Sequence, residues 1–454
     1  MADFTKFNAS THPIVKLEGD WNNLLAHGLE KGFNYIVRIN GSYTEAITGT
    51  GTSAGTIAYG GADNVGATDG TDSAAVINAA LANLTAGRDY KEGVKVVGDY
   101  TTNAALAVEG YTVLDLRAAK ITLDDGADSN GMTTTVGDDY IDILGGWLQG
   151  NSANNASGHG IEIQSNSQEI TITGTKIRDF KESGIKIGVA ADALMNISYC
   201  VITGNTEHGI HATSLSDSFI HHNDIGSNGH NGIYFGTTSH NRIANNGIWL
   251  NNQDGGNAGI YLYECRRTII TSNILHDNYR NGCQIAGVNA SYNKNNIVNS
   301  NSFLDNGTLT PNTYYDTALS DSEAKYNQII GNTFNSPDVK YNVYPNTNAT
   351  SNVIEGNSFA AFTTRAVAGT LTGNIIRGNI GYITENSGVT AAAGSPITVA
   401  HGLVDTPSTI ILTPKSADAG DFYAANMGAA NFDVTYDGGG AVAFYWQAIL
   451  VPTT

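Results

Sequence analysis

His159-Gly-Ile-Glu-Ile163 is the first of six copies of one pattern: a small residue or histidine, glycine, an apolar residue, a variable residue and usually another apolar one. The other copies are Ser183-Gly-Ile-Lys-Ile187, His208-Gly-Ile-His-Ala212, Asn231-Gly-Ile-Tyr-Phe235, Ala258-Gly-Ile-Tyr-Leu262 and Asn281-Gly-Cys-Gln-Ile285. Their glycines are separated by 24, 25, 23, 27 and 23 residues. A period of this length is typical of a solenoid, and the alternation around each glycine indicates strands.

The variable position of the repeat predicts a single row of outward side chains. In each copy the two apolar residues face the core, so the residue between them faces solvent. Stacked coils place equivalent residues about 4.8 Å apart. The predicted row consists of Glu162, Lys186, His211, Tyr234, Tyr261 and Gln284. The next outward position adds Gln164, Thr213 and Tyr263, with the small residues Gly188, Gly236 and Ala286 between them.

The composition excludes some classes of function. The chain of 454 residues has 53 glycines and only 8 prolines, which fits many tight turns between short strands. Its net charge of −19 argues against nucleic acid as a partner. The same charge favours solubility, with attraction of calcium ions as the alternative. No apolar stretch approaches the roughly eighteen residues of a membrane span, and the first residues lack the apolar core of a signal peptide.

Four segments are predicted along the chain. A helix begins at Asp20, and the next two strands form a hairpin that turns at Asn40-Gly41. A second helix begins at Thr71-Asp72 and has an apolar side formed by Ala75, Val76, Ala79, Ala80 and Leu84. The segments are an N-terminal capping or attachment unit (1–50), a linker (51–70), a solenoid (71–386) and a C-terminal antiparallel β-sandwich (387–454).

The start of the predicted solenoid has a distinctive order of elements, namely Asp69-Gly-Thr-Asp72, a short helix, the strand Val94-Lys-Val-Val97 and the strand Thr112-Val-Leu-Asp-Leu116. This order resembles the start of right-handed parallel β-helix proteins, such as pectate-lyase-like enzymes and phage tailspikes. The resemblance covers about residues 70–385. It implies an all-β fold, namely a right-handed single-stranded parallel β-helix whose first coil is covered by the capping helix. It does not imply one activity, because the fold hosts lyases, hydrolases, epimerases and inert fibres.

Two other patterns bear on the architecture. Asparagines recur at the coil period, and stacked asparagines at a turn form hydrogen-bonded ladders; they are Asn223, Asn246, Asn273, Asn301, Asn332, Asn357 and Asn379. Near the C-terminus, His401-Gly-Leu403, Thr406-Pro407 and Phe444-Tyr-Trp446 resemble terminal β-domains of phage fibres. That likeness implies a homotrimer or attachment to carbohydrate. The alternative is a cap over the last coil.

The outward row is the candidate active site. Tyrosine rings alternating with small residues form platforms for sugar rings, and polar neighbours bind hydroxyls. Proton removal beside a uronic-acid carboxylate needs a base, an acid and a neutralising cation. Lys186, His211 and Tyr234, on three successive coils, are the candidate catalytic residues. The candidate substrate-binding residues are Glu162, Gln164, Arg178, Lys181, His208, Tyr261, Tyr263 and Gln284.

Each candidate has a simpler interpretation. In that interpretation Lys186 and Glu162 form a surface ion pair, His211 only covers the surface of a strand, and the tyrosines stack across coils and stiffen the sheet. Hydrolysis is the weaker chemistry, because no pair of carboxylates is visible in the row. A zinc site at His221-His222 is not expected, since adjacent strand residues point to opposite faces. The three cysteines follow no metal-binding spacing.

The leading hypothesis from sequence is a polysaccharide-binding and polysaccharide-degrading β-helix protein, with lyase or epimerase chemistry on uronic-acid polymers. The rival is a non-catalytic carbohydrate-binding fibre or adhesin. Either function places the protein outside the cell or on a virus particle.

Overall fold

The computed structural model describes residues 33–40, 43–48, 56–59, 70–188, 194–256, 258–288, 293–320, 324–346, 348–369 and 371–451. The helix predicted from Asp20 lies outside these residues. The chain divides into two compact units, Met1–Tyr261 and Leu262–Thr454.

The first described strands of the first unit, Tyr35–Asn40 and Tyr43–Thr48, are antiparallel and form the predicted hairpin. Asn40 pairs with Tyr43, so Asn40 belongs to the strand and not to the turn. A third strand, Thr56–Tyr59, pairs with the hairpin inside the segment that was predicted to be a linker. The hairpin also continues into the solenoid, because Tyr35–Asn40 pairs in parallel with Glu92–Thr102.

The predicted capping helix is present as Gly70–Ala82. Its buried side chains are those of Ser73, Ala74, Val76, Ile77, Ala80 and Leu81, followed by Leu84 just beyond the helix. Ala75 is exposed and Ala79 is only half-buried, so the buried side is rotated from the predicted one. The reason is that Ile77 and Leu81 are the largest apolar residues of the helix and their burial sets its orientation.

Two parallel sheets form the coils of the first unit. The repeat sheet contains Leu106–Val108, Met132–Thr134, Ile161–Ile163, Ile185–Ile187, Ile210–Thr213 and Ile233–Gly236, and the strand Ala258–Tyr263 contains the division between the units. The bent sheet contains Glu92–Thr102, Thr112–Leu123, Asp142–Leu144, Trp147–Gln149, Thr171–Thr173, Lys176–Arg178, Asn196–Ser198, Val201–Thr203, Phe219–His221, Asp224–Gly226, Arg242–Ala244 and Gly247–Trp249. Strands of each sheet pair in parallel with the equivalent strands of the next coil.

The glycine of the repeat is required by close packing inside the coil. A Cβ atom at Gly184 would lie 2.5 Å from Ile202 Cγ2 and 2.8 Å from the carbonyl oxygen of Gly209. Both distances are below any normal contact with a methyl group, and a backbone carbonyl cannot move aside. The isoleucines on either side of the variable residue, such as Ile185 and Ile187, are completely buried and form the core.

The second unit continues with parallel strands on two faces and ends in antiparallel sheets. Its coil strands are Ile269–Thr271, Ile274–His276, Asn281–Ala286, Ile297–Asn299, Ser302–Leu304, Tyr315–Leu319, Gln328–Ile330, Thr333–Asn335, Tyr341–Pro345, Val353–Glu355, Ser358–Ala361, Arg365–Val367 and Ile375–Arg377. The C-terminal strands Glu385–Val389, Thr409–Pro414 and Phe444–Ile449 form one sheet, and Ile397–Ala400, Phe422–Ala425 and Asn431–Tyr436 form the other. Together they bury a core that includes Phe432, Phe444 and Trp446. The fold is therefore a right-handed parallel β-helix with small C-terminal antiparallel sheets, as the sequence predicted.

The asparagine ladder is confirmed within each unit. Asn223 Nδ2 donates to Asn246 Oδ1 at 3.0 Å, and Asn301, Asn332 and Asn357 form the same contact on successive coils, also at 3.0 Å. The residue before each ladder asparagine has a positive φ angle, for example Gly331 at +64°. This left-handed residue bends the coil sharply and directs the next side chain into the core, where only amide partners satisfy it.

A second buried polar group lies in the core of the second unit. The carboxylate of Asp316 is fully buried and accepts hydrogen bonds from Asn306 Nδ2, Ser336 Oγ and Asn342 Nδ2, at 3.0, 2.7 and 2.8 Å. Burial raises the pKa of Asp316 to about 7, although the three hydrogen bonds oppose that change. At neutral pH this carboxylate therefore destabilises the fold.

We expect the stability of the second unit to fall as the pH rises from about 4 to 7. The folded pKa of Asp316 lies above the unfolded value of 3.8, so its favourable contribution is complete below pH 3.8 and is lost through pH 7. Replacement Asp316→Asn should remove this pH dependence, which has an upper bound of about 4 kcal/mol. Urea unfolding at pH 4 and pH 8 measures it. The control is Asp338→Asn, and equal pH dependence in wild type and Asp316→Asn would contradict the prediction.

Candidate functional site

The outward row of the repeat sheet has the predicted register. Glu162, Lys186, His211 and Tyr234 lie directly opposite one another on four consecutive parallel strands. All four side chains are half-buried, whereas the isoleucines beside them are buried. Residues that are 23 to 25 positions apart in the sequence therefore lie side by side on neighbouring strands.

The three candidate catalytic residues are in contact along this row. Lys186 Nζ lies 3.0 Å from His211 Nδ1 and 3.2 Å from His211 Nε2, within hydrogen-bond distance of both ring nitrogens. The rings of His211 and Tyr234 meet edge to face, with centroids 4.9 Å apart. Tyr234 in turn contacts Tyr261 on the next coil at 5.6 Å. A cation, an imidazole and two phenols thus form one continuous chain of contacts.

Burial lowers the basicity of this chain of side chains. The pKa of His211 is lowered to about 4, first by burial and then by the positive charge of Lys186. Burial also lowers the pKa of Lys186, and the nearby carboxylates of Glu207, Glu162 and Glu182 oppose this change. His211 is therefore neutral at pH 7 and has a ring nitrogen that can accept a proton.

His208, a predicted binding residue, supports the row from the turn that precedes its strand. Its ring contacts His211, His230 and Tyr234, with centroid distances of 4.8, 5.2 and 5.2 Å. Its Nδ1 atom accepts a hydrogen bond from the backbone N–H of Asn231. Burial lowers the pKa of His208 to about 2, so it stays neutral and packs against the row.

A second row of candidate side chains is not among the residues predicted from the sequence. Two residues before the repeat glycine, Glu182, Glu207 and His230 occupy successive coils, linked by the backbone hydrogen bonds Glu207 N to Glu182 O and His230 N to Glu207 O. Glu182 Oε2 lies 3.3 Å from His159 Nε2, and Glu207 Oε2 accepts from Ser183 Oγ. The constant distance of two residues before the repeat glycine was a signal in the sequence that could have found this row. Residues in turns lack the apolar–polar alternation that predicts where a side chain points.

The simpler interpretation of Lys186 as an ion-pair partner of Glu162 does not hold in this structure. Glu162 Oε2 instead accepts a hydrogen bond from Asn130 Nδ2 at 2.7 Å. Within the described part of the chain, no oxygen of Glu162 comes within 4.0 Å of Lys186 Nζ, whose near neighbour is His211. The Lys186 ammonium group is therefore not paired with the Glu162 carboxylate on the outer face of the sheet.

The other candidate binding residues are divided between several places. Gln164 lies beside the row and its Nε2 atom donates to Thr133 Oγ1 at 3.5 Å. Arg178 lies on the bent sheet, 3.3 Å from Asp179, and Lys181 lies in the turn that follows. Tyr263 lies on the same strand as Tyr261, and Gln284 Oε1, in the second unit, accepts from Asn281 Nδ2. The structure therefore does not bring Arg178 to the row.

The reasoning against a metal at His221-His222 was wrong in its geometry. His222 follows the strand Phe219–His221 and has a φ of +55°, so the chain turns and the two rings share one side. Their Nδ1 atoms are 2.8 Å apart. His221 Nε2 also contacts Asn196 Oδ1 at 3.0 Å. Among the described residues, no group of three or more His, Cys, Asp or Glu side chains is arranged to hold a metal ion.

Comparison with known proteins supports the fold. The family described as "Right handed beta helix region" matches residues 159–334. No curated protein matches the chain in sequence. No helix among the residues that the structure describes has the length and hydrophobicity needed to cross a membrane.

Three solved structures are similar in fold. The A-module of the Azotobacter vinelandii mannuronan C-5 epimerase AlgE6 is 18% identical, with a TM-score of 0.54 over 68% of this chain and 95% of that one. The enzymatically active domain of bacteriophage CBA120 tailspike protein 2 is 12% identical, with a TM-score of 0.54 over 82% and 67%. DFA-IIIase from Arthrobacter chlorophenolicus A6 is 14% identical, with a TM-score of 0.51 over 68% and 90%. At these identities the likeness establishes the right-handed parallel β-helix fold alone.

Proposed function

We propose that this right-handed parallel β-helix protein binds an extended polysaccharide along the row of the repeat sheet and breaks it by acid–base chemistry at Lys186, His211 and Tyr234. One observation carries the proposal. A half-buried lysine, a neutral histidine and a tyrosine contact one another on successive coils, although each side chain lies on the outer face of the sheet. A sheet surface with no function has no need to concentrate groups of lowered pKa.

The row suits a sugar chain in spacing and in chemistry. Equivalent side chains repeat at about 4.8 Å along the solenoid, which is close to the length of one sugar residue in an extended chain. Tyr234 and Tyr261 offer aromatic surface and hydroxyl groups, while Glu162 and Gln164 offer hydrogen-bond partners for sugar hydroxyls. The similarity in fold to a mannuronan epimerase module and to a tailspike domain is consistent with such a ligand.

β-Elimination on a uronic-acid polymer uses the three groups in distinct roles. Neutral His211 removes the C5 proton, and the Lys186 ammonium group stabilises the carboxylate as its charge becomes delocalised. The C4–O bond then breaks, a C4–C5 double bond forms, and the Tyr234 hydroxyl donates a proton to the leaving oxygen. C5 epimerisation shares the first step and returns a proton to the opposite face of the same carbon.

Hydrolysis is the second candidate, favoured by the presence of two acidic residues, Glu182 and Glu207, at equivalent positions of successive coils. Their backbones lie one coil apart, and a retaining glycosidase needs two carboxyl groups about 5 Å apart. In this alternative one of them protonates the glycosidic oxygen and the other attacks the anomeric carbon. The sequence offered no such pair because both residues lie in turns.

The rival function is a non-catalytic fibre or adhesin that uses the same face only for binding. Both functions require that the protein meet polysaccharide outside a cell or on a virion surface. The terminal β-domains that the C-terminal strands resemble are consistent with a homotrimer, which light scattering would detect.

The reaction product distinguishes these functions. We expect incubation with a panel of polyuronates to give shortened chains that absorb in the ultraviolet, because elimination creates a carbon–carbon double bond conjugated with the carboxylate. New reducing ends without that absorbance would identify hydrolysis. Glycan binding with no change in any polymer would overturn the catalytic proposal in favour of the fibre.

A further inference from the structure

A group of cations surrounds the indole of Trp147 on the outer face of the bent sheet. Lys120, Trp147 and Lys176 lie directly opposite one another on three adjacent parallel strands. The ring centroid of Trp147 lies 5.1 Å from Lys120 Nζ, 5.9 Å from Lys176 Nζ and 5.9 Å from Arg178 Cζ. Because the two lysines come from the strands on either side of Trp147, they are two coil spacings apart, or roughly 10 Å at the backbone.

Lys120, Trp147 and Lys176 also line an open cavity of about 330 Å³, together with Arg117, Ala119, Gly145, Gly146 and Gly174. Three glycines contribute no side chains to this surface. A Cβ atom at Gly174 would meet nothing closer than 3.9 Å, so the space above it is open. Gly145 and Gly146 lie against Arg117 and Leu116, so the cavity combines a positively charged rim with open space above Gly174, which suits a polar chain lying across the coils.

The positive charge of this cavity is unusual for the molecule. The chain has 23 Lys and Arg residues against 42 Asp and Glu, yet three cations lie around one indole and a fourth, Arg117, lines the same cavity. Three of them have an acidic neighbour: Arg117 with Asp115 at 2.7 Å, Lys120 with Asp99 at 3.8 Å and Arg178 with Asp179 at 3.3 Å.

Among the described residues, Lys176 is the cation of this cluster that has no acidic partner. It forms no ion pair with any acidic residue in the described part of the chain, and its ring contact is with Trp147. Cation–ring contacts at a surface contribute only about 0.5–1 kcal/mol each, and two lysines placed around one ring repel each other. Folding alone therefore gives little reason to place Lys120 and Lys176 around one ring, whereas an anionic ligand would neutralise the charge of Lys176.

We infer that the Trp147 cluster is a second binding site for polysaccharide, selective for the repeating anionic groups of an acidic chain. The ligand chemistry is a carboxylate or sulfate on successive sugars, and the roughly 10 Å between the lysine backbones corresponds to about two sugar residues. This inference rests on the proposed function, from which the identification of the partner as a glycan is taken. This site holds the polymer on the protein but takes no part in breaking it, because it lies on the other sheet from Lys186 and His211.

Binding measurements on charge-reversed variants test this site. Calorimetry with polygalacturonate, dextran sulfate and neutral dextran distinguishes carboxylate, sulfate and uncharged chains. We expect the double variant Lys120→Glu/Lys176→Glu to bind the preferred acidic polymer about 10-fold more weakly and with a shallower salt dependence. The single variant Lys176→Gln should show a smaller loss, about 3-fold, and guards against misfolding of the double variant.

Lys415→Glu is the matched control, because Lys415 also lies over an aromatic ring, 5.3 Å from that of Tyr445, in the second unit. It should bind like wild type. Equal affinity and salt dependence for wild type and the Trp147-cluster variants would overturn the inference, as would binding of neutral dextran alone.

The outcomes also separate this inference from the proposed function. Weaker polymer binding by the double variant, with unchanged turnover of a short oligosaccharide, supports both. If the wild-type protein breaks no polymer and the double variant binds the acidic polymer more weakly than wild type, the second site is supported and the catalytic proposal is overturned. Normal cleavage and normal binding by the double variant overturn the second site and leave the catalytic proposal intact.

Discussion

Replacing His211 by alanine is expected to lower kcat/KM on the cleaved polymer about 1,000-fold, because a positioned general base contributes roughly 10²- to 10⁴-fold. Lys186→Met should give a loss of similar order by removing the cation that faces the substrate carboxylate. Tyr234→Phe tests the proposed acid and should lower kcat with little change in binding. Initial rates on the polymer identified in the product assay measure all three variants.

The pH profile gives a sharper test than the loss of activity. A base with a pKa of about 4 keeps its activity down to about pH 4, so the acidic limb of kcat/KM should lie there and not near 6.5. The charge of Lys186 contributes to lowering that pKa, so Lys186→Met should move the acidic limb of the residual activity to higher pH. A purely structural lysine would lower activity without moving the limb.

Lys91→Met is the control for this experiment. Lys91 is a partly exposed lysine paired with Asp142 at 2.6 Å, outside the repeat sheet. Its replacement should leave both the rate and the pH profile unchanged. Full activity in His211→Ala would remove this residue from the proposed mechanism.

Asn332→Leu is expected to destabilise the second unit by about 3–6 kcal/mol. Asn332 Oδ1 accepts from both the backbone N–H and the side-chain amide of Asn301, and its Nδ2 atom donates to the carbonyl of Val298 and to Asn357 Oδ1. Leucine has a similar volume but no polar atoms, so several buried groups lose a partner, at about 1–3 kcal/mol each. Denaturant unfolding followed by circular dichroism measures the shift.

Asn335→Leu is the matched control for the ladder, since Asn335 lies on the exposed side of the strand Thr333–Asn335. Its replacement should change the unfolding midpoint little. A small effect of Asn332→Leu, comparable with that of the control, would show that the ladder does not hold the coils together.

The coil architecture was predictable because every coil repeats the same pattern of strands, turns and buried apolar residues. Alternation around each repeat glycine indicated strands, and the period indicated stacking, which the structure confirms in the pairing of Ile161 with Ile185 and of Ile185 with Ile210. The asparagine ladder was predictable for the same reason, because a residue that recurs once per coil at a corner must contact its own copies. Strand bounds in the C-terminal sheets are less predictable, because strands such as Phe422–Ala425 are short and partly exposed.

The sequence by itself determined the solenoid and the outward row of Glu162, Lys186, His211 and Tyr234, since stacking converts a sequence period into neighbours in space. Only the tertiary structure decided what surrounds that row. It placed Glu182 and Glu207 beside Lys186, kept Arg178 on the other sheet, and brought the rings of His221 and His222 together. The physical reason is that these side chains lie in or beside turns, where left-handed residues set the direction and the coil length varies. A periodic pattern predicts which residues stack, but the shape of each corner decides which side chains meet.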